Sequence, residues 1–279
     1  MPSLLRVNGV ELCAETFGRE GDPAILLIAG AASSMDWWEP GFCEALAAGG
    51  RLVVRYDHRD TGRSTSYPPG EPGYGGADLV ADAAGLLDAL GIGATHVAGL
   101  SMGGALALVL ALEHPGRVAT LTLLSTSPGG DDLPGTTDEL RAVFADPAPE
   151  PDWSDRSAVI DYVVEGERPF AGAGAFDEAH VREIATRVAD RTPSIASAAN
   201  HWLLDDDGPP LRPRLGRIRA PALVVHGTAD PLFPPAHGAA LARELPDAEL
   251  LLLDGLGHQF PPTELWDRIV PAILAHTSR

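Results

Sequence analysis

The stretch Gly99-Leu100-Ser101-Met102-Gly103-Gly104 holds the residues best arranged for chemistry. An apolar run, Val97-Ala98-Gly99-Leu100, leads straight into the serine, and an Ala/Leu-rich run, Ala105-Leu106-Ala107-Leu108, leads straight out. A strand that becomes a helix within one residue forces strained backbone angles on the residue at the turn. Gly99, Gly103 and Gly104 carry no Cβ, so neighbouring backbone can approach this turn closely. The serine side chain then stands clear at the carboxyl edge of a sheet, above a helix N-terminus that favours developing negative charge. The pattern G-x-S-x-G is weak alone; the strand–turn–helix context gives it weight. The chemistry expected is nucleophilic attack by Ser101.

A serine hydroxyl is a poor nucleophile at neutral pH, so it needs a general base, and the base needs an orienting acid. Of the nine histidines, His258 lies in Leu256-Gly257-His258-Gln259-Phe260, directly after the last apolar strand pattern, and is the first candidate. His226, at the end of Ala222–His226 and before Gly227, is its main rival. His58 sits in an Arg/Asp cluster that reads as holding a loop, and His96 opens a strand at the wrong edge. His180, His201 and His237 read as surface positions or parts of an insertion, and His114 and His276 as helix-end residues. For the acid, Gly227-Thr228-Ala229-Asp230-Pro231 follows the preceding strand, and its turn residues would present Asp230 over the sheet. Asp254 is the rival, with Asp131 and Asp132 as further options.

The elements that must position these residues alternate in type. Leu4–Val7 and Val10–Ala14 flank Asn8-Gly9, a two-residue hairpin signal. Ala24–Ala29, Arg51–Asp57, His96–Leu100, Val118–Ser125, Ala222–His226 and Ala248–Leu253 are short apolar runs, as strands covered on both faces would be. Helical spacing marks Trp38–Ala48, Leu79 to Leu90, Gly103–Glu113, His237–Leu245 and Leu265–Ala275. Strands alternating with helices predict a mostly parallel α/β sheet with helices on both faces. The rhythm breaks over 127–216, where Asp, Pro and Gly abound and only short helical patches occur, at Ser157–Val164, Phe176–Val188 and Ile195–Leu204. The expected organisation is a core of residues 1–126 and 217–279 with a mainly helical lid, 127–216, inserted in it.

Composition narrows the options. The 279 residues are 45% hydrophobic and 21% charged, which suits a globular chain with a sizeable core. No lysine occurs, which removes Schiff-base and Walker-lysine chemistry, and the formal charge of −19 argues against nucleic acid or an anionic membrane surface as partner. Cys13 and Cys43 cannot form a disulfide framework, no metal-ligand spacing occurs, and no apolar run is long enough to span a bilayer. The expectation is a cytoplasmic protein acting on a small molecule without metal or cofactor, its oligomeric state open.

The order Ser, Asp, His, with G-x-S-x-G at a strand–turn–helix, resembles the α/β-hydrolase superfamily along essentially the whole chain. Within it, Tyr56-Asp57-His58-Arg59-Asp60-Thr61-Gly62-Arg63-Ser64-Thr65, Gly99-Leu100-Ser101-Met102-Gly103 and Leu256-Gly257-His258 are similar to the aclacinomycin methylesterase group of bacterial esterases. The resemblance implies a serine hydrolase of carboxylic esters of small, rather apolar molecules, with a methyl ester of a polyketide-type compound as the finer expectation. It also implies an oxyanion hole built from the backbone N–H of Met102 and an N–H of the loop after the first long parallel strand. Ala31 is the better candidate there and Gly30 the second. The family usually carries His-Gly where this chain has Ala29-Gly30, which leaves the bracing of that loop unexplained, and most members carry glycine at Asp60. Gly30, Trp37, Trp38, Trp153 and Trp202 are candidates to line the substrate site, with Phe170 and Phe176 as further aromatics. Asp57, Arg59, Asp60 and Arg63 read as an internally paired network that pins a loop rather than as an anion site. The same motifs would also serve a lyase, a cofactor-free haloperoxidase or perhydrolase, or a binding protein on this scaffold.

Overall fold

The computed structural model describes residues 1–172, 176–205 and 208–278. Eight strands form one sheet: β1 (Ser3–Val7), β2 (Val10–Phe17), β3 (Ala24–Ile28), β4 (Leu52–Tyr56), β5 (Thr95–Leu100), β6 (Val118–Leu124), β7 (Ala222–Gly227) and β8 (Ala248–Leu253). Their spatial order is β1-β2-β4-β3-β5-β6-β7-β8. β1 and β2 pair antiparallel around Asn8-Gly9, both at positive φ, and β2 pairs antiparallel with β4. From β4 onward every pairing is parallel. All eight strands lie where the apolar runs predict them.

Alternation along each strand divides the core between the two faces. Leu26 and Ile28 of β3 join Val54, Val97, Leu121 and Val224 against the helices α2 (Gly76–Ala89) and α3 (Met102–Glu113). Ile25 and Leu27 of the same strand join Val53, Ala98 and Val225 against α1 (Pro40–Ala48) and, at the chain's end, the helix Trp266–His276. Helix ends differ from the expectation by a residue or two. The first helix begins at Pro40 rather than Trp38, because the preceding residues Met35–Trp37 wind as a 3-10 turn and proline suits a first helical position.

Between β6 and β7 run α4 (Asp138–Ala145), α5 (Arg156–Glu167) and α6 (Glu178–Arg191), then a 3-10 stretch at Ile195–Leu203; no strand occurs there among the described residues. α7 (Ala236–Glu244) and α8 (Trp266–His276) complete the set. α6 starts later than Phe176 because the Asp177 side chain caps it, accepting the His180 N–H. α4 has no counterpart among the expected patches: only Leu140 of its eight residues is buried, so it has no apolar stripe to read. Among the described residues no helix is long and apolar enough to cross a membrane.

Candidate active site

Ser101 occupies the junction of β5 and α3 at φ +53 and ψ −118. This is a left-handed angle that a side-chain-bearing residue keeps only where its surroundings enforce it. Here the Ser101 N–H donates to the Leu124 carbonyl at 2.9 Å, while its own carbonyl accepts from Gly104 N–H at 2.9 Å and Thr126 Oγ1 at 2.8 Å. The glycines are required by crowding: a Cβ on Gly99 would sit 2.1 Å from the Gly103 carbonyl oxygen, and one on Gly103 2.4 Å from that of Ile28.

The structure brings Ser101, His258 and Asp230 into one line. His258 Nδ1 lies 2.9 Å from Asp230 Oδ2 and its Nε2 2.9 Å from Ser101 Oγ. A carboxylate can only accept, so Nδ1 carries the proton and Nε2 is free to accept from the serine hydroxyl. Asp230 is buried, and its other oxygen accepts from the N–H groups of Leu232 and Phe233 at 3.0 and 2.8 Å. One oxygen therefore shapes the turn while the other faces the imidazole. His258 is fixed further by its own N–H, which donates to the Phe170 carbonyl at 2.7 Å, and by the rings of Phe233 and Phe170 at 5.4 and 6.0 Å. The approach of these stretches is tight enough that a Cβ on Gly257 would meet the Phe170 carbonyl oxygen at 2.3 Å.

The rivals have other work. His226 is fully buried, donates through Nε2 to the Phe233 carbonyl at 2.7 Å and passes 3.6 Å from Asp230 Oδ2, so it packs beneath the acid rather than facing the serine. Burial pushes its pKa down, which keeps it neutral there. Asp254 accepts from Thr228 Oγ1 at 3.1 Å in an exposed turn. Asp132 pairs with Arg212 and Asp131 is exposed. Cys13 and Cys43 are buried, and burial pushes the Cys13 thiol up to about 11, well away from nucleophilic use.

Gly30 adjoins the serine: a Cβ on it would lie 3.6 Å from Ser101 Cβ. The N–H of Met102 is the first of α3, where no intrahelical acceptor exists, and among the described residues neither it nor the Ala31 N–H has a protein acceptor. The bracing that Ala29 left unexplained comes from two histidines. His58 Nε2 donates to the Ala29 carbonyl at 3.2 Å, and His201 Nδ1 accepts the Ala32 N–H at 2.8 Å. His201, expected at the surface or in an insertion, lies in the stretch between β6 and β7 and is buried rather than at the surface.

The charged side chains of the loop after β4 do not pair with one another as expected; the acids and Arg59 are satisfied by partners from other elements. Asp57 pairs with Arg191 of α6 at 2.6 Å, Arg59 with Asp82 of α2 at 2.7 Å, and Asp60 accepts from Tyr74 Oη at 2.7 Å and Asn200 Nδ2 at 2.9 Å. Arg63 is exposed. Asp60 sits at φ +65, a left-handed conformation that glycine would take without strain.

The aromatic candidates separate. Trp37 and Trp38 are buried, packed on Phe260 with ring centroids 5.9 and 5.0 Å apart. Trp37 also lines, with Ile184, Gln259 and Phe260, a cavity of about 140 Å³ between α6 and the stretch after His258; Ser101 and His258 do not line it. The structure does not bring Trp153 or Trp202 to Ser101. Trp153 packs on Tyr162 and bonds Glu150, and Trp202 is 64% exposed. Phe233 was missed; its position three residues after Asp230 was the available signal. Phe144 of α4, half exposed, lies 6.1 Å from Phe170.

A serine on a strand–helix turn, facing a histidine–aspartate pair over the carboxyl edge of a mostly parallel sheet, defines a class of hydrolytic fold. A family model described as alpha/beta hydrolase fold matches residues 23–264, and the chain belongs to that family. Rhodomycin D methylesterase DauP of Streptomyces sp. strain C5 is 31% identical over 99% of this chain and 98% of its own, and the DnrP methylesterase of Streptomyces peucetius is equally similar over the same shares. The enol-lactonase from Burkholderia xenovorans LB400 superposes with a TM-score of 0.76 at 26% identity, covering 99% of this chain and 100% of its own. CumD, a meta-cleavage product hydrolase from Pseudomonas fluorescens IP01, shares the fold at a TM-score of 0.77 and 20% identity, covering 99% and 97%. The likeness to bacterial methylesterases implied by the motifs thus extends over the whole chain, which is a hydrolase.

Proposed function

We propose that the protein is a serine esterase cleaving carboxylic esters of small, rather apolar molecules, with a methyl ester of a polyketide-type compound as the favoured substrate. The observation that carries this reading is the unbroken line from Asp230 Oδ2 through His258 to Ser101 Oγ, with both contacts at 2.9 Å. The substrate class is supported by two full-length relatives named as rhodomycin D methylesterases.

In this mechanism Ser101 Oγ attacks the ester carbonyl carbon while His258 Nε2 takes the hydroxyl proton. The carbonyl oxygen becomes an oxyanion held by the N–H groups of Met102 and Ala31, each such donor contributing roughly 10²–10³ in rate. Asp230 holds the imidazole with Nδ1 protonated and stabilises its cation. Collapse of the intermediate breaks the ester C–O bond, His258 hands its proton to the departing alcohol, and the acyl group remains on Ser101. Water, deprotonated by His258, then repeats the attack and releases the acid. Residues 127–216 serve as a lid: their ends join adjacent strands β6 and β7, and their Phe170 carbonyl bonds His258 directly. Phe170 and Phe233, whose rings flank His258, give apolar surface of the kind a hydrophobic ester needs.

A panel running from short acyl esters to bulky aromatic methyl esters tests the reading, with methanol and acid quantified. Bulky methyl esters should turn over fastest, and Ser101→Ala should lose about 10⁴-fold or more. Near-normal turnover by Ser101→Ala would remove the serine from the mechanism.

A further inference from the structure

Ala32 ends the stretch Gly30-Ala31-Ala32 at φ +58, a left-handed conformation taken without glycine. Such a residue holds its angle only where the surroundings over-determine it. Local bonds contribute: Ser33 N–H donates to the Gly30 carbonyl at 3.3 Å and Ser33 Oγ to the Ala31 carbonyl at 3.2 Å. The bond with the longest reach comes from His201, whose Nδ1 accepts the Ala32 N–H at 2.8 Å across 169 residues of sequence. On the opposite side of the ring, Nε2 lies 2.8 Å from the Arg59 carbonyl. One nitrogen must accept and the other must donate, so the ring is the neutral Nε2–H tautomer. Burial favours that form.

His201 is itself anchored. It is 6% exposed, meeting the rings of His58 and Tyr74 edge-on at 5.8 and 6.5 Å. Asn200 beside it is fully buried; its Nδ2 donates to Asp60 Oδ2 and the Pro68 carbonyl, and its Oδ1 accepts the Gly70 N–H at 2.7 Å. The ring is thus a fixed strut between the loop after β3 and the loop after β4, supplied from the segment between β6 and β7.

We propose that His201 is a positioning residue: by accepting the Ala32 N–H it fixes the Ala31–Ala32 peptide and the backbone angles that join it to the preceding Gly30–Ala31 peptide, whose Ala31 N–H is thereby kept aimed at the oxyanion. The proposal rests on the esterase reading given above. It means that the segment 127–216 completes the oxyanion hole as well as covering the site, so the electrostatic stabilisation of the intermediate depends on that segment being docked. Because the oxyanion exists only after attack, a loop aimed wrongly lowers kcat and leaves ester binding nearly intact.

Two substitutions split the strut. His201→Asn keeps an acceptor close to the Nδ1 position and loses the reach to Arg59; His201→Gln keeps a donor near the Nε2 position and loses the acceptor for Ala32. A purely structural role makes the two equivalent. The proposal expects His201→Gln to lose about 10- to 100-fold in kcat, with KM within about threefold. His201→Asn should retain most of the wild-type kcat, although both lose thermal stability. Equal kcat in the two variants overturns the role of His201. Turnover persisting in Ser101→Ala, run alongside, would overturn the esterase reading and the proposal with it. A third measurement needs no variant: ¹⁵N chemical shifts of the His201 ring in the wild-type protein should report Nε2–H with an accepting Nδ1. A cationic ring, or the opposite tautomer, overturns the proposal.

Discussion

Two regions meet at Ser101, and they are held in place by different forces. The sheet edge is built on burial: β3, β5 and β7 are buried at every residue, and the turns carrying Ser101, Asp230 and His258 leave directly from such strands or their neighbours. The segment 127–216 meets the body through fewer apolar residues: Ile184 and Val188 of α6 against Trp37, and Leu204, Leu211 and Leu215 against the main core. Around the site it docks through directional polar bonds: Arg191 to Asp36 and Asp57, Asn200 to Asp60, His201 to Ala32 and Arg59, and the Phe170 carbonyl to His258. The difference teaches where each kind of damage should appear. Dispersed hydrophobic contacts tolerate a single loss, whereas a few exact bonds do not, and segments with few buried apolar contacts open at lower free energy than the core.

The largest effect is expected from altering chemistry on the well-buried side while leaving its shape alone. Asp230→Asn preserves volume but offers Nδ1 of His258 an amide in place of a carboxylate, favouring the wrong tautomer. Its kcat should fall by about 10⁴ with a small change in melting temperature. A loss below tenfold would show that Asp230 only shapes its turn. Next comes the docking side. Arg191→Met strips the cation from Asp36 and Asp57, both buried, and breaking such a pair costs about 3–5 kcal/mol. Amide exchange should accelerate first in α5, α6 and 195–203 while β5 stays protected; uniform acceleration would erase the contrast between the regions.

The smallest effect sharpens it through pH. Burial drives the pKa of His58 down to about 3 and that of His96 down to about 4, against an ordinary value of 6.5. Both are neutral in the folded state, while the unfolded chain takes up protons below its ordinary value. Their contribution is therefore complete above about pH 6.5 and shrinks as pH falls toward the folded values. Roughly 2 kcal/mol should be lost between about pH 6.5 and 5.5 for the two together. Denaturant unfolding across that range checks the slope, and His58→Gln should flatten it.

The same division decides what could be read in the chain. The strands were legible because a parallel strand covered on both faces is a continuous apolar run, as Ala24–Ile28 and Ala222–Gly227 are. Ser101, Asp230 and His258 were legible because each lies just past such a run, in a turn with glycine or proline beside it. The docking side gave no equivalent signal. Nothing local to His201 distinguishes it from a surface histidine, since both its partners are backbone groups in loops far away in sequence. The exposed Trp202 beside it looked the better pocket residue because residue type carries no information on which way a side chain points. Asp60 stood out as a departure from glycine, yet only the fold shows that its positive φ is tolerated while Tyr74 and Asn200 tie its carboxylate.

The central claim is that Ser101 is a nucleophile made reactive by His258 and Asp230. The most direct measurement is covalent labelling of the folded protein with a fluorophosphonate, followed by peptide mapping of the adduct. The account predicts a single adduct on Ser101 that forms quickly in the wild type, far more slowly in Asp230→Asn, and not at all after unfolding. A folded wild-type protein that takes up no label at Ser101, or takes it up equally fast in both forms, would contradict it.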